Sequence, residues 1–539
     1  MSHKTILQRG KNCLTIGKVN QTGLLIDGRN YFRAFYRAAQ AAKRYILLSG
    51  WQFDSNFHLL RGDDAKAAAG ETRFLPFLNS LCDNKPDLRI FILAWDFSMI
   101  YGLDREWFQE LYFNWTTNER LRFCFDQCSS FDASHHQKFV VIDGEFAFAG
   151  GLDLCAARWD ERDHRVHNPF RMESGGTPYR SFHDVQSYHS GPLALELAKL
   201  FKARWKVACC EDLDLSFAAD EGVRGLESEG SGRLKNASEI DIEPTAPLAA
   251  TEVAISRTQT EESCSEKGVY EIRTLFLDAI EAAERLIYIE NQYFSSVALF
   301  EALAARMKAA KRAQLEIVLM IAKDAEAFLE QLSIGIMQSR LIGRLREIAK
   351  QTGHHLGIYY PASVNSSGEE LETYIHSKLL LVDDRFLTVG SANMNNRSLG
   401  YDTELNVSWE GQPGDGASAS IHDARINLLA EHTGYDLAAC RKLSIPGLVR
   451  NLDRLADSGA SRLRHHPQRS VAEEYGWLTS IFPDGLPFDP RGPVTGEVSN
   501  DATAGAEGSF FARGITELKN WLTGAPASNA ATVRSRQQE

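Results

Sequence analysis

Two short stretches hold the side chains best suited to chemistry. Residues 135–153 read HHQKFVVIDGEFAFAGGLD, and residues 375–393 read IHSKLLLVDDRFLTVGSAN. Each places a histidine two positions before a lysine and seven before an aspartate: His136, Lys138 and Asp143, then His376, Lys378 and Asp383. A small pair follows, Gly150-Gly151 or Gly390-Ser391, and two residues on stands Asp153 or Asn393. The two histidines are 240 positions apart.

The spacing carries geometry. FVVI and LLLV are strand-like runs, apolar on both faces, as in a strand covered on both sides. On a strand, residues i and i+2 face the same way, so each histidine projects with its lysine. Such a pair at a strand mouth packs poorly but suits a phosphate: lysine is a point charge with three donors, and imidazole titrates near neutrality. The glycine-rich turns let backbone N–H groups approach an anion. Asp143 and Asp383 fall on the opposite strand face and read as holding the turn. If the two stretches meet about a pseudo-two-fold axis, two histidines and two lysines converge on one phosphate. A neutral imidazole can then attack phosphorus while a protonated one supplies the leaving oxygen with a proton. The lysines offset charge on the phosphoryl oxygens. No metal or other cofactor is required, and no acidic cluster has metal-binding spacing.

The elements that must position these residues also repeat. Residues 31–54 pass from an Ala-rich helical pattern into an apolar strand-like run, and residues 278–296 follow the same plan. Ala41-Ala42-Lys43-Arg44 aligns with Ala282-Ala283-Glu284-Arg285 at an offset of 241, almost that of the histidines. Helix followed by strand in each copy indicates an α/β class. The expected organisation is a first half at 20–210, an acidic, Gly/Ser-rich linker at 211–250, a second half at 251–440 and an extension at 441–539. Within the extension, 509–523 reads as an amphipathic helix that either docks on the body or lies on a membrane surface.

The chain has 539 residues, 44% hydrophobic and 24% charged, which is globular composition. Lys+Arg 59 against Asp+Glu 71 gives a net charge of -12, so there is no global attraction for nucleic acid or anionic lipid. Phosphate must be held by local positive charge. No run approaches the roughly 20 apolar residues of a membrane span, and the first 20 residues lack a signal-peptide core. A cytoplasmic protein, at most peripherally membrane-associated, is expected. The nine cysteines are scattered and read as reduced packing thiols; Cys124 and Cys128 have no second ligand pair.

The duplicated motif resembles the His-x-Lys-x4-Asp signature of the phospholipase D superfamily, over about residues 20–440. Further elements are similar to its lipid-active branch: IENQYF at Ile289–Phe294, the GG-x-DLC…RWD segment from Gly150 to Asp160, His183-Asp184-Val185, Asn396-Arg397-Ser398 and Glu431-His432. The resemblance implies two pseudo-symmetric α/β/α sandwich domains with one active site at their interface, and a covalent phosphohistidine. It implies His136 as nucleophile and His376 as the acid that later activates water. Lys138, Lys378 and Asn393 bind the phosphate, with Ser391 beside them. Asp153 takes the matching first-half position, although an ionised carboxylate there repels an anion. By motif position, Asp184 orients His136 and Glu404 orients His376. Gly150, Gly151 and Gly390, like Asp143 and Asp383, are structural.

The implied partners are a phospholipid at a membrane surface and a water or alcohol acceptor, with no nucleic acid and a monomeric chain. The implied reaction releases phosphatidic acid and a free headgroup, or transfers the phosphatidyl group as a cardiolipin synthase does. A nucleic-acid phosphodiesterase would use the same four residues, but the acidic balance and the lack of a basic, aromatic-interleaved groove oppose it. Lipid contacts are expected from Trp95, Phe97, Met99, Ile100 and Tyr101 and from the tail helix. Residues 361–372 read as a loop that gates the site, and 461–470 as a solvated basic loop.

Overall fold

In the computed structural model the described residues are 5–96, 109–126, 133–215, 242–259, 268–324 and 328–468. The loop residues 97–101, linker residues 216–241, Cys128, Cys264 and the tail helix lie outside them.

The first half supplies strands β1 (Thr15–Lys18), β2 (Gln21–Ile26), β3 (Tyr45–Gly50), β4 (Arg89–Trp95), β5 (Leu121–Asp126), β6 (Phe139–Ile142), β7 (Phe146–Gly150), β8 (Ser181–His183) and β9 (Val185–Ser190). After β10 (Ala246–Pro247) come β11 (Glu252–Gln259), β12 (Val269–Tyr270), β13 (Leu286–Asn291), β14 (Glu316–Ile321), β15 (His355–Val364), β16 (Glu370–Ile375), β17 (Lys378–Val382), β18 (Phe386–Gly390), β19 (Glu404–Glu410) and β20 (Leu463–His465). One sheet contains the order β2-β9-β7-β6-β3-β4-β5 and the other β11-β19-β18-β17-β13-β14-β15. Strand directions agree pair by pair: β3, β4 and β5 run parallel, as do β13, β14 and β15, and the remaining neighbours are antiparallel. The internal repeat is therefore a repeat of topology.

Every residue of β3, YILLSG, and of β13, LIYIEN, is buried, because helices cover both sheet faces. Outside the first sheet pack the helices Gly28–Ala41 and Phe74–Asn84 through Phe32, Phe35, Phe74 and Leu78. Outside the second pack Glu271–Ala282, Val297–Lys308 and part of Phe328–Thr352. Between the sheets one core joins Leu47, Phe139 and Trp205 to Tyr288, Val407 and Trp409, and includes the helices Leu193–Cys209 and Gly416–Thr433. Each half is thus an α/β/α sandwich, and the inner layer is shared.

Asp143 and Asp383 do matching structural work. Asp143 accepts from the backbone N–H groups of Lys43, Arg44 and Tyr45 at 2.8–2.9 Å. Asp383 accepts from Glu284, Arg285 and Leu286 at 2.7–2.8 Å. Each carboxylate collects donors where a helix has ended and the next strand begins, which locks the motif strand to its neighbour.

Several elements cross the expected boundaries. β1, ahead of residue 20, pairs with β11 of the second sheet, and β10, from the linker region, pairs with β2 of the first. Beyond residue 440, Leu448, Leu452 and Leu463 enter the shared core. Residues 463–465 are a strand paired with β15, not part of a solvated loop, because Ser461 and Leu463 are buried. Residues 361–372 form a hairpin of β15 and β16 around Asn365–Glu369, not an irregular loop. The expectation of reduced cysteines fails at one pair: Cys124 of β5 and Cys209 at the helix end are joined by a disulfide, their Cα atoms 6.5 Å apart. They are 85 residues apart in sequence and meet only because that helix packs on β5. Cys13, Cys82, Cys155, Cys210 and Cys440 are free. No helix among the described residues is long and apolar enough to cross a membrane.

Candidate active site

The two motifs meet through strand pairing between the halves. β8 runs parallel to β16, with His183 opposite Ile375, so the next residues, Asp184 and His376, come side by side. In the pseudo-symmetric position His135 bridges Thr403 in parallel, which brings Glu404 beside His136. Asp184 Oδ2 is 2.6 Å from His376 Nδ1. Both Glu404 oxygens are 3.0 Å from His136 Nδ1. The orienting carboxylates are therefore exchanged relative to the motif-position expectation: Asp184 serves His376 and Glu404 serves His136. The register of the two inter-half pairings is the cause. With each Nδ1 engaged, Nε2 is the ring nitrogen left for phosphorus or a proton.

Lys138 and Lys378 are 2% and 1% exposed, so their charges act in largely desolvated surroundings. Lys378 Nζ donates to Gln292 Oε1 at 3.0 Å and also contacts its neighbour His376 O. Burial lowers its pKa to about 7, and Lys138 and Arg158 add repulsion against the pull of Asp184 and Glu404. Burial also holds both catalytic-candidate imidazoles well below their ordinary range, helped for His136 by Lys138 and Lys378 and for His376 by Lys378, Arg158 and Lys138. Both lysines thus bear on both histidines, so the four groups form one electrostatic unit. Burial raises Asp184 to about 6, and it raises Glu404 well above the carboxylate range, with Asp402 adding to the effect. Each carboxyl–imidazole pair is consequently driven to share one proton rather than separate charge.

The polar residues after the glycines diverge. Asp153 Oδ2 lies 2.7 Å from Lys138 Nζ, and Oδ1 accepts from Trp51 N–H. Asp153 is thus a partner of the lysine. Asn393 Oδ1 is buried and has no hydrogen-bond partner among the described residues. Ser391, expected beside the phosphate, donates its hydroxyl to Glu404 and its backbone N–H to Leu405 O. It serves the carboxylate that holds His136.

The glycines do something other than expose N–H groups. Gly150 and Gly151 donate to Lys138 O and Val185 O, so those donors are spent on neighbouring strands. What glycine permits is close approach: a Cβ on Gly151 would lie 2.2 Å from Asp184 Oδ1, and one on Gly390 would lie 2.1 Å from Asn406 Oδ1. The small pair admits the strand that delivers the orienting carboxylate.

Sequence reasoning missed four residues that position the motif side chains. Gln292 holds Lys378 with its oxygen, while its amide nitrogen donates to the Tyr293 and Tyr374 hydroxyls. Phe182 and Tyr374 flank His376, with ring centroids 5.2 and 6.3 Å away. Trp51 lies 5.9 Å from Lys138 Nζ and stacks on Trp95. IENQYF was the available signal for Gln292; of the aromatic neighbours, only Phe182 reaches its histidine across the halves, while Trp51 meets Lys138 through the β3–β6 pairing within the first half. The motif residues include no metal-ligand set. A separate buried group behind Asp184, formed by Asp27, His164, His183 and Glu431, could hold a cation.

The family model described as "Phospholipase D" matches residues 38–338, more than half of the chain. The chain belongs to the phospholipase D family. A second model, "Cardiolipin synthase, PLD-like domain", matches residues 276–422. Among curated relatives, phospholipase D A of Dictyostelium discoideum is 26% identical over 70% of this chain and 32% of its own length. Phospholipase D1 of Saccharomyces cerevisiae is 26% identical over 77% and 29%, and phospholipase D alpha 4 of Arabidopsis thaliana 24% over 77% and 64%. The chain therefore spans less than two thirds of each of these relatives. Among solved structures, the phosphatidylserine synthase of Haemophilus influenzae covers 81% of this chain, with 94% of its own length covered, 13% identity and a TM-score of 0.47.

Proposed function

We propose that this phospholipase D family member cleaves the distal phosphodiester of glycerophospholipids at a membrane surface, giving phosphatidic acid and a free headgroup. The observation that carries this reading is the pair of imidazoles, each tied at Nδ1 to a carboxylate of the opposite half, in a pocket with two buried lysines. His136 Nε2 attacks phosphorus, and the bond to the headgroup oxygen breaks. The phosphodiester anion favours the charged form of His376, which takes its proton from solvent on binding and then gives it to that oxygen. Charge developing on the His136 ring is met by Glu404, and charge on the phosphoryl oxygens by Lys138 and Lys378. In the second half-reaction His376 removes a proton from water, the oxygen attacks phosphorus, and the P–N bond to His136 breaks. Both motifs lie in one chain, so one copy suffices.

The second family model favours a variant of the second step, in which the hydroxyl of an alcohol replaces water and the phosphatidyl group is transferred. Hydrolysis and transfer share every residue named.

The test offers phosphatidylcholine, phosphatidylethanolamine and phosphatidylglycerol vesicles, with and without a primary alcohol, beside a labelled oligonucleotide. Phosphatidic acid is the expected product, with a phosphatidyl-alcohol when alcohol is present. His136→Ala and His376→Ala should each abolish both. Oligonucleotide cleavage without lipid turnover overturns the proposal.

A further inference from the structure

Behind the active site lies a buried group of mixed nitrogen and oxygen ligands that the reaction does not use. We propose that Asp27, His164, His183 and Glu431 bind one divalent transition-metal ion of the Zn2+ class, which fixes the strand carrying Asp184.

The four residues come from distant places: Asp27 follows β2, His164 lies in a loop, His183 ends β8, and Glu431 belongs to the helix Gly416–Thr433 of the second half. One ligand atom from each lies within 4.8 Å of all the others. His164 Nε2 is 3.2 Å from Glu431 Oε1 and His183 Nδ1 is 3.1 Å from Asp27 Oδ1, while His183 Nδ1 also contacts Glu431 Oε1 directly, a contact that an ion between them would have to open. Ligands on a tetrahedral Zn2+, each about 2.0–2.2 Å from the ion, are separated by about 3.4 Å. None of the four residues is more than 3% exposed, which fits a closed structural site and not one that keeps a position for substrate.

What surrounds the ligands also fits an ion. Each histidine turns its other nitrogen to a carboxylate: His164 Nδ1 is 3.1 Å from Asp160 Oδ2, and His183 Nε2 is 2.9 Å from Glu290 Oε2. That contact fixes the tautomer and makes the inward nitrogen a better donor to a metal. Glu431 Oε2 accepts from Arg162 Nε at 2.8 Å, which leaves Oε1 directed inward. An independent sign is Asp27 Oδ2. It is fully buried, has no hydrogen-bond partner among the described residues and lies 3.8 Å from His164 Nε2. A buried carboxylate oxygen left without a hydrogen bond is costly, and a cation at this point would coordinate it.

The site would join the halves. Three ligands belong to the first half and Glu431 to the second, and His183 immediately precedes Asp184. An ion here holds the end of β8 in the register that sets Asp184 against His376.

The test is elemental analysis of the full-length protein purified without a metal-affinity tag, followed by chelation and titration with Zn2+ and Co2+. The expected result is about one transition-metal ion per chain, a melting temperature lowered by chelation and restored by equimolar Zn2+, and the visible spectrum of four-coordinate Co2+. Asp27→Asn, which keeps the size of the side chain, should lower the metal content and remove the Zn2+-dependent rise in melting temperature. Glu431→Gln should do the same. A wild-type protein that carries no metal and whose melting temperature ignores equimolar Zn2+ overturns the proposal; the cluster is then a proton-bridged network with both imidazoles doubly protonated. Because the wild-type measurements decide the matter, a variant that fails to fold leaves the test intact.

Discussion

His376 is oriented by Asp184, a residue 192 positions earlier in the other half, with 2.6 Å between Nδ1 and Oδ2. The converse pair, His136 with Glu404, spans 268 positions. Neither half holds its own histidine. The site is therefore interlocked as well as shared, and losing one carboxylate should impair the histidine contributed by the partner half.

This crossing makes a kinetic prediction. Glu404→Gln should slow formation of the acid-labile, alkali-stable phosphohistidine on His136, and Asp184→Asn should impair proton delivery by His376. Each loss should be on the order of 10²–10⁴-fold in turnover, the range for a positioned acid–base group. A leaving group that needs no proton, such as nitrophenolate, should rescue the first step in Asp184→Asn and not in Glu404→Gln. Equal rescue of both variants would argue against the crossed assignment.

Gly151 tests the same arrangement sterically. A methyl group there would meet Asp184 Oδ1 at 2.2 Å, so the carboxylate must move. Gly151→Ala should cost activity comparable to Asp184→Asn while the protein remains folded by circular dichroism. Gly343→Ala is the control, because a Cβ there meets nothing within 4 Å, and it should retain activity. Full activity in Gly151→Ala would show that Asp184 is not held where this geometry places it.

Particular residues show what was legible in the sequence. The i, i+2 rule on a strand placed His136 with Lys138 and His376 with Lys378, because strand periodicity is local. The turn-holding position of Asp143 and Asp383 followed from the same alternation. The partners of each histidine did not follow, because Asp184 and Glu404 are delivered by parallel pairing between halves, and no local pattern encodes that register. Ser391 and the glycine N–H groups were misread for a related reason: their partners are neighbouring strands that a single segment does not reveal. Asp27, His164, His183 and Glu431 span 404 positions with no ligand spacing, so only the fold assembles them. Cys124 and Cys209 met the same limit.

The disulfide predicts a redox-dependent stability. Cross-linking residues 85 positions apart restricts the unfolded chain, an effect worth about 4.5 kcal/mol in the chain-entropy picture. Reductant should lower the melting temperature of the wild type, and Cys124→Ser should show the lower value with or without reductant. An unchanged wild-type melting temperature in reductant would mean that the bond contributes nothing measurable.

Lys378 predicts how affinity and stability change with pH. Its folded pKa of about 7 lies below the ordinary 10.5, chiefly because the group is buried. A phosphate in the pocket favours the charged form, so binding above about pH 7 requires uptake of a proton. Affinity for a phosphate analogue such as tungstate should therefore fall above pH 7, by at most about tenfold per unit. For the empty protein the sign is opposite. Between about pH 7 and 10.5 the unfolded chain keeps a proton that the folded chain has lost, so this group makes folding more favourable as pH rises. Asp184, raised to about 6 from 3.8, acts in the separate window below, where its contribution falls as pH rises. Lys378→Met should abolish the alkaline gain in denaturant midpoint and the pH dependence of tungstate binding together. Retention of both slopes in that variant would assign the titration to another group.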